Sequence, residues 1–362
     1  MTRSIADLRV AIDAVDQQLL QLLNDRAALA NEVGDIKRKE GSQVFRPERE
    51  AQVIHTLQQG NPGPLKGNNI ANIWREIMSA CRALEAPQRV AYLGPAGTFS
   101  EQAAEAFFGV SIDHVPCASF DEVFDATTSG RADFGVVPME NSTEGAVTRS
   151  LDLFLTSPLH MIGETSLLVR HNLLCSQQTP LDQIEAVYAH PQALAQCQNW
   201  LSVHAPQAER HAASSNAEGA RIAASNPKWA AIASLRAASQ FGLHVVAPAI
   251  QDEAYNRTRF AVMCLPQTLA MPEASGNDCT SLVLSVVNRP GAVYELLEPL
   301  KRHNVSMTRF ESRPARSGQQ WEYFFYIDLV GHISEPHVAA ALADLRPICA
   351  YYKVLGSYAI NG

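Results

Sequence analysis

Among the cations of the first fifty residues, Arg9, Arg26, Lys37 and Arg49 punctuate largely apolar or neutral surroundings. Arg26 and Lys37 are eleven residues apart, close to three helical turns. On one helix they point the same way and lie ~16 Å apart, so two long side chains could grip an anionic ligand between them. Arg9 lies ~25 Å from Arg26 along that helix and faces elsewhere. It reaches the same ligand only if a second copy of the chain supplies it. Taken singly, each of these charges also reads as a solvated helix face.

Further strings carry polar groups at turns. GPAGTFSEQAA, from Gly94, sets Thr98 and Glu101 at capping-box spacing, where exposed backbone N–H groups can face an anion. It lacks the phosphate-loop pattern. GVVPMENSTEGAV, from Gly135, ends an apolar run at Pro138 and puts Glu140, Asn141, Ser142 and Thr143 before a helix. That is the carboxyl end of a strand, where open α/β sheets bind ligands. NRTRFAV (Asn256–Val262) is a third string, and HPQALAQC, from His190, adds another strand-to-helix junction with Gln196 one helical stretch in. Near the end of the chain, Gly291 in NRPGAVYELL suits a close backbone approach by a ligand, and FESRP follows. Alone, these strings equally describe a capped helix, a strand entry and a sandwich that only dimerises.

The elements that must position these residues differ along the chain. From Ile5 to Glu40 apolar residues recur every three or four positions without a proline, which predicts one helix of ~50 Å. Such a helix needs a partner along its length, so an intertwined dimer is expected. A second helix follows Pro47, and a third spans Ile70–Leu84. From Arg89 to about Leu265 apolar strands (RVAYLG, DFGVVP, EAVYAH, WAAIAS, HVVAP) alternate with helical stretches, predicting α/β architecture with mainly parallel sheets and room for two lobes. After a Pro-rich linker the order is strand, helix, strand, strand (Trp321–Val330), helix, strand, the ferredoxin-like pattern. Domains are expected at residues 1–87, 89–267 and 279–362.

Composition narrows the class. The net charge of −8 argues against a nucleic-acid partner. The amino terminus has no apolar run after its charges and no segment approaches a membrane span, so a cytoplasmic protein is expected. The seven cysteines form no C-x-x-C pair, which predicts neither a zinc site nor a disulfide framework.

Residues 5–85 resemble the all-helical chorismate mutase family in LRVAIDAVDQQLLQLLNDRAALANEVGDIK and RPEREAQVI. That resemblance implies a swapped dimer whose site takes Arg9 from one copy and Arg26, Lys37, Arg49 and Glu50 from the other. Glu85 falls where relatives carry glutamine or glutamate; to donate to the ether oxygen it must be protonated. The rearrangement of chorismate to prephenate needs no nucleophile and no cofactor, only clamping and charge stabilisation.

From Arg89 to about Pro266 the chain resembles prephenate dehydratase, with Thr258-Arg259-Phe260 among its specific marks. The family likeness implies two lobes like a periplasmic binding protein, with Thr258 hydrogen bonding to the departing hydroxyl. Asn141, Ser142, Gln196, Arg259 and Phe260 would hold the substrate. Ala189 stands where the family often has serine.

The last domain resembles the ACT family of amino-acid sensors. By that likeness Gly291, Ala292, Val293, Glu311 and Ser312 would bind phenylalanine between two such domains and inhibit the dehydratase. No metal and no cofactor are expected. Two alternatives stay open: a chain with one live activity, because Arg46 stands where some mutases are acidic, and a non-catalytic amino-acid sensor. The intact T-R-F triplet and the near-complete cation set favour an enzyme.

Overall fold

The computed structural model describes residues 3–40, 45–314 and 323–360. They fall into two compact units, one built from residues up to 88 with residues 108–113, the other from the rest.

The first unit is helical: α1 (Ile5–Glu40), α2 (Pro47–Gln59) and α3 (Gly67–Glu85). Periodicity alone starts the third helix at Ile70; it begins three residues earlier, after an extended Lys66. α3 approaches α1 tightly at Gly34, where a Cβ would stand 2.8 Å from Glu85 Cγ. Gly34 is also the one buried residue of α1. Its apolar stripe stays open in the single chain, with Val10 68% and Leu22 62% exposed.

The second unit starts with β1 (Arg89–Leu93), α4 (Phe99–Phe108), β2 (Asp113–Cys117), α5 (Phe120–Thr128), β3 (Phe134–Asn141), β4 (Gly145–Ala146), α6 (Thr148–Thr156) and β5 (His160–Leu168). The chain then builds a second lobe: β6 (Asn172–Cys175), β7 (Ala186–Ala189), α7 (Pro191–Gln196), α8 (Gln198–His204), β8 (Glu209–Ala212), α9 (Asn216–Ala223), β9 (Trp229–Ala233), α10 (Leu235–Phe241) and β10 (His244–Ala247). It returns to the first lobe as β11 (Arg257–Cys264). The carboxy-terminal part is β12 (Asp278–Ser285), α11 (Ala292–Arg302), β13 (Met307–Pro314), β14 (Tyr323–Val330), α12 (Pro336–Leu345) and β15 (Tyr351–Ala359). Trp321 and Glu322, expected to open β14, lie outside the described residues.

The sheets are more mixed than the strand–helix alternation predicts. The second lobe has the order β10-β6-β9-β7-β8, parallel across β9-β7-β8 and antiparallel across β10-β6-β9. In the first lobe β11 lies between β3 and β5 and runs antiparallel to both. The reason is the path of the chain: a strand that leaves one lobe and returns from the other enters the first sheet in the reverse direction.

The ferredoxin-like part is not set apart by its linker. Its sheet continues that of the first lobe, giving ten strands in the order β13-β14-β12-β15-β5-β11-β3-β1-β2, with β4 on β3. The seam is the parallel pairing of β15 with β5 at Gly356 and Met161. A Cβ on Gly356 would stand 2.1 Å from the Met161 carbonyl oxygen, so only glycine lets the strands meet there. One face of the carboxy-terminal sheet packs Leu282, Leu284 and Ile327 under α11 and α12. The other contributes Val283, Tyr326 and Tyr358 to a core shared with Met139, Phe154 and Met161. Each such side chain contributes roughly 1.5–3 kcal/mol, so the shared core binds these parts firmly. No helix among the described residues is long and apolar enough to cross a membrane.

Candidate active sites

In the helical unit the inner ends of α1, α2 and α3 gather charge. Arg26 Nη1 donates to Cys81 Sγ at 2.9 Å, and Arg38 Nη1 to the Glu85 carbonyl at 3.1 Å. Burial pushes the Glu85 carboxyl up, with Lys37 and Arg38 opposing it. Its Oε2 is buried and has no hydrogen-bond partner. Lys37 thus lies within electrostatic reach of Glu85. Burial also pushes Glu50 up, against the pull of Arg82. Arg82, which sequence reasoning missed, is buried at 6% exposure. It pairs with Glu50 and donates to the Phe108 carbonyl. Glu50 is therefore held by a neighbour on α3, which leaves it a supporting position in the single chain. Arg9 and Arg49 stand exposed, and Arg46 pairs with Glu48 at 2.7 Å.

A cavity of about 1020 Å³ opens between the two lobes of the second unit. Strand ends and helix starts form its walls, as expected from the polar strings. At the start of α4, Glu101 N donates to Thr98 Oγ1 at 3.4 Å, and the Glu101 carboxylate accepts from Gly97 N at 2.7 Å. Asn141, at the end of β3, and Thr258, on β11, are register partners. Asn141 Nδ2 donates to Thr258 Oγ1 and to Asn256 Oδ1, both at 2.8 Å. Asn256 Nδ2 donates to Gln196 Oε1 at 3.0 Å, and Gln196 Nε2 donates to Glu144 Oε1 at 2.8 Å across the lobes. Thr258, Phe260, Asn141 and Gln196 therefore meet in one cavity.

Two expected ligands do not face it. Ser142 is absent from the cavity wall: its hydroxyl donates to the Tyr255 carbonyl at 3.1 Å and accepts from Arg257 N at 2.9 Å, tying β3 to the entry of β11. Arg259 sits between two cavity residues on an extended strand, so its side chain leaves on the opposite face. There Nε donates to Glu164 at 2.7 Å and Nη2 to Asp328 of β14 at 2.6 Å, with Glu140 at 3.8 Å. Ser281 and Tyr358 complete this network on the two carboxylates. Burial alone would lower the Arg259 pKa; Asp328, Tyr358 and Glu164 outweigh it and raise the pKa. Arg309 of β13 approaches Glu140 at 3.3 Å on the same side.

In the carboxy-terminal part Gly291 has φ +83° and caps α11, whose first turn holds Ala292 and Val293. Alternation along β13 turns Glu311 and Ser312 to opposite faces. Glu311 pairs in register with Tyr326, on the side that meets the first lobe. Among the described residues one trio could hold a metal, Glu101, Glu105 and His114. Arg236 already pairs with both carboxylates, at 3.7 and 2.7 Å.

Comparison with known proteins follows the same divisions. Residues 8–86 match the family model of chorismate mutase type II, residues 90–268 that of prephenate dehydratase, and residues 280–347 that of the ACT domain. A bifunctional chorismate mutase/prephenate dehydratase of Stutzerimonas stutzeri is 44% identical over 356 residues, 97% of this chain and 96% of the relative. A prephenate dehydratase from Arthrobacter aurescens, solved in complex with L-Phe, is 35% identical with a TM-score of 0.68, over 75% of this chain and 89% of that one. A solved structure described as a novel type of quorum-quenching acylase is 27% identical with a TM-score of 0.69, over 76% of this chain and 98% of that one. The match to the Stutzerimonas relative extends over the helical unit as well.

Proposed function

This chain belongs to the bifunctional chorismate mutase/prephenate dehydratase family, and on that premise we propose that one polypeptide carries out both steps and is feedback-inhibited by phenylalanine. We take the domains to be residues 1–87, 89–267 and 279–362, acting in the cytoplasm as a homodimer or higher homo-oligomer. The open apolar stripe of α1 supports the dimer.

In the mutase unit Arg26, Lys37 and Arg49, with Arg9 from a second copy, would clamp the two carboxylates of chorismate in a reactive conformer. Lys37 and a protonated Glu85 would stabilise charge on the ether oxygen. Glu50, paired with Arg82, would orient that group.

The observation that carries the dehydratase reading is the contact between Asn141 Nδ2 and Thr258 Oγ1 at 2.8 Å. Because Asn141 donates, the Thr258 oxygen accepts, and its own hydrogen is left for the ring hydroxyl of prephenate. The prephenate dianion takes up one proton and yields the phenylpyruvate anion, carbon dioxide and water. Aromatisation supplies the driving force. A threonine hydroxyl is a poor acid, so water must reload it. No lysine or arginine lines the cavity among the described residues. The substrate carboxylates would rest on backbone N–H groups at the starts of α4 and α9, which suit anions. Phe99, Phe120 and Phe260 supply an apolar wall that favours loss of carboxylate charge as carbon dioxide. Gly291, Ala292, Val293 and Ser312 would take phenylalanine between two ACT domains, with Glu311 supporting β13 from its opposite face, shifting the cleft between states of different affinity.

The test is phenylpyruvate formation by the purified chain, from chorismate and from prephenate, with and without phenylalanine. Product from both, suppressed by phenylalanine, is expected. Prephenate turnover without chorismate turnover would leave only the dehydratase; no carbon dioxide from prephenate would overturn the reading. Thr258→Val, which keeps the shape and removes the donor, should slow prephenate turnover at least ~100-fold while leaving mutase turnover intact.

A further inference from the structure

Hydrogen-bond directions around Thr258 are set from outside the cavity, and they lead to a buried imidazole. Asn141 Oδ1 accepts from the backbone N–H groups of Thr143 at 3.0 Å and Glu144 at 3.2 Å. An N–H can only donate, so this end of the carboxamide is the oxygen and Nδ2 must donate, to Thr258 and to Asn256. Asn256 accepts on Oδ1 and so presents its Nδ2 to Gln196 Oε1. At the far end the Glu144 carboxylate, an acceptor, fixes Gln196 Nε2 as a donor. Gln196 Oε1 is therefore an acceptor from both directions. His171 Nε2 lies 2.8 Å from it and must be the second donor.

His171 immediately precedes β6 of the second lobe, is 3% exposed, packs its ring edge-on against Phe99 and belongs to the cavity wall. Its Nδ1 is buried with no hydrogen-bond partner. The neutral ring thus carries its hydrogen on Nε2, and burial, against the Gln196 hydrogen bond, favours that neutral form. Protonation would leave the Nε2–H donor in place.

We propose that His171 is a positioning residue of the dehydratase site: its Nε2–H holds the Gln196 carboxamide and, through Asn256, keeps Asn141 and Thr258 in the orientation that leaves the Thr258 hydrogen for substrate. This rests on the reading of the cleft as the dehydratase site. Without that donor the Gln196 carboxamide keeps Asn256 on its oxygen and Glu144 on its nitrogen, but loses its one buried anchor in the second lobe. The directional chain from two backbone amides to Thr258 then loses its far anchor.

Two substitutions of similar polarity separate this role from proton transfer. A glutamine amide reaches the Nε2 position of a histidine; an asparagine amide reaches only the Nδ1 position. In the full chain, kcat and KM for prephenate are measured for the parent, His171→Gln and His171→Asn across the pH range of turnover, with melting curves as a check on folding. Expected are a kcat about tenfold lower in H171N with KM changed much less, near-parent kcat in H171Q, and the same pH profile in all three. H171N at parent kcat would overturn the proposal. So would equal loss in both variants with a missing pH limb, which would make His171 a proton donor. Failure of the parent to release carbon dioxide from prephenate would instead remove the reading of the cleft.

Discussion

Replacing Asp328 by asparagine removes one charge from the face of β11 opposite Thr258 while keeping the side chain's volume. Asp328 accepts from Arg259 Nη2 at 2.6 Å, with its side chain 4% exposed and that of Arg259 22% exposed. Neither group is screened as a surface pair would be. After the change Arg259 keeps Glu164 at 2.7 Å and a distant Glu140 at 3.8 Å. Breaking a buried pair by removing one partner costs ~3–5 kcal/mol, and the surviving carboxylate puts the cost at the lower end, about 3 kcal/mol. For a unit of this size each kcal/mol lowers Tm by roughly 2–4 °C, so a drop of roughly 6–12 °C is expected in the transition of the second unit. Differential scanning calorimetry of the full chain reads it, and a double-mutant cycle with Arg259→Met isolates the pair. Prephenate turnover below the transition should change far less, because Thr258 keeps Asn141 on the other face. A shift below about 2 °C would refute the reasoning, since it would make the pair equivalent to an exposed ion pair.

Two other outcomes follow from the same geometry. Glu85 has a raised pKa, so its protonated, donating form persists to higher pH than in an ordinary glutamate and is lost as pH rises through that value. Mutase turnover should fall on that limb and Glu85→Gln should abolish the limb; a parent profile flat between about pH 5 and pH 8 counts against the role. Gly356→Ala forces a methyl to within 2.1 Å of the Met161 carbonyl, so the β5–β15 seam must open. Calorimetry should show a loss of ~1–3 kcal/mol or a split transition; an unchanged single transition means the strands shift freely.

Much of the fold was legible because its signals are local. The period of apolar residues predicted α1 from Ile5 to Glu40, and the turn strings foretold that Asn141 and Thr258 would lie at strand ends and Gln196 one helical stretch beyond a strand. What escaped was long-range. Period two says that Arg259 and Thr258 face opposite ways, but not which face borders the cleft. The sheet seam depends on a pairing between residues 161 and 356; an isolated glycine in an apolar strand, Gly356, was its only local trace. Arg82 follows buried Met78 by one helical turn on the buried side of α3, a cation on the wrong face, which was a usable signal. His171 had none: HNLLC reads as the start of a buried strand, and the Gln196 that gives the imidazole its task is twenty-five residues away.

Thr258, Arg259 and Phe260 also bear on how this sequence can drift over generations. Two duties share three consecutive letters, the outer two turned to the cleft and the middle one to the carboxy-terminal sheet. Point changes can alter one duty and spare the other. Insertion or loss of a single residue ahead of the triplet would exchange them, sending a guanidinium into the cleft and a hydroxyl to three waiting carboxylates. Descendants of this chain can therefore vary in spelling within β11 far more readily than in its length.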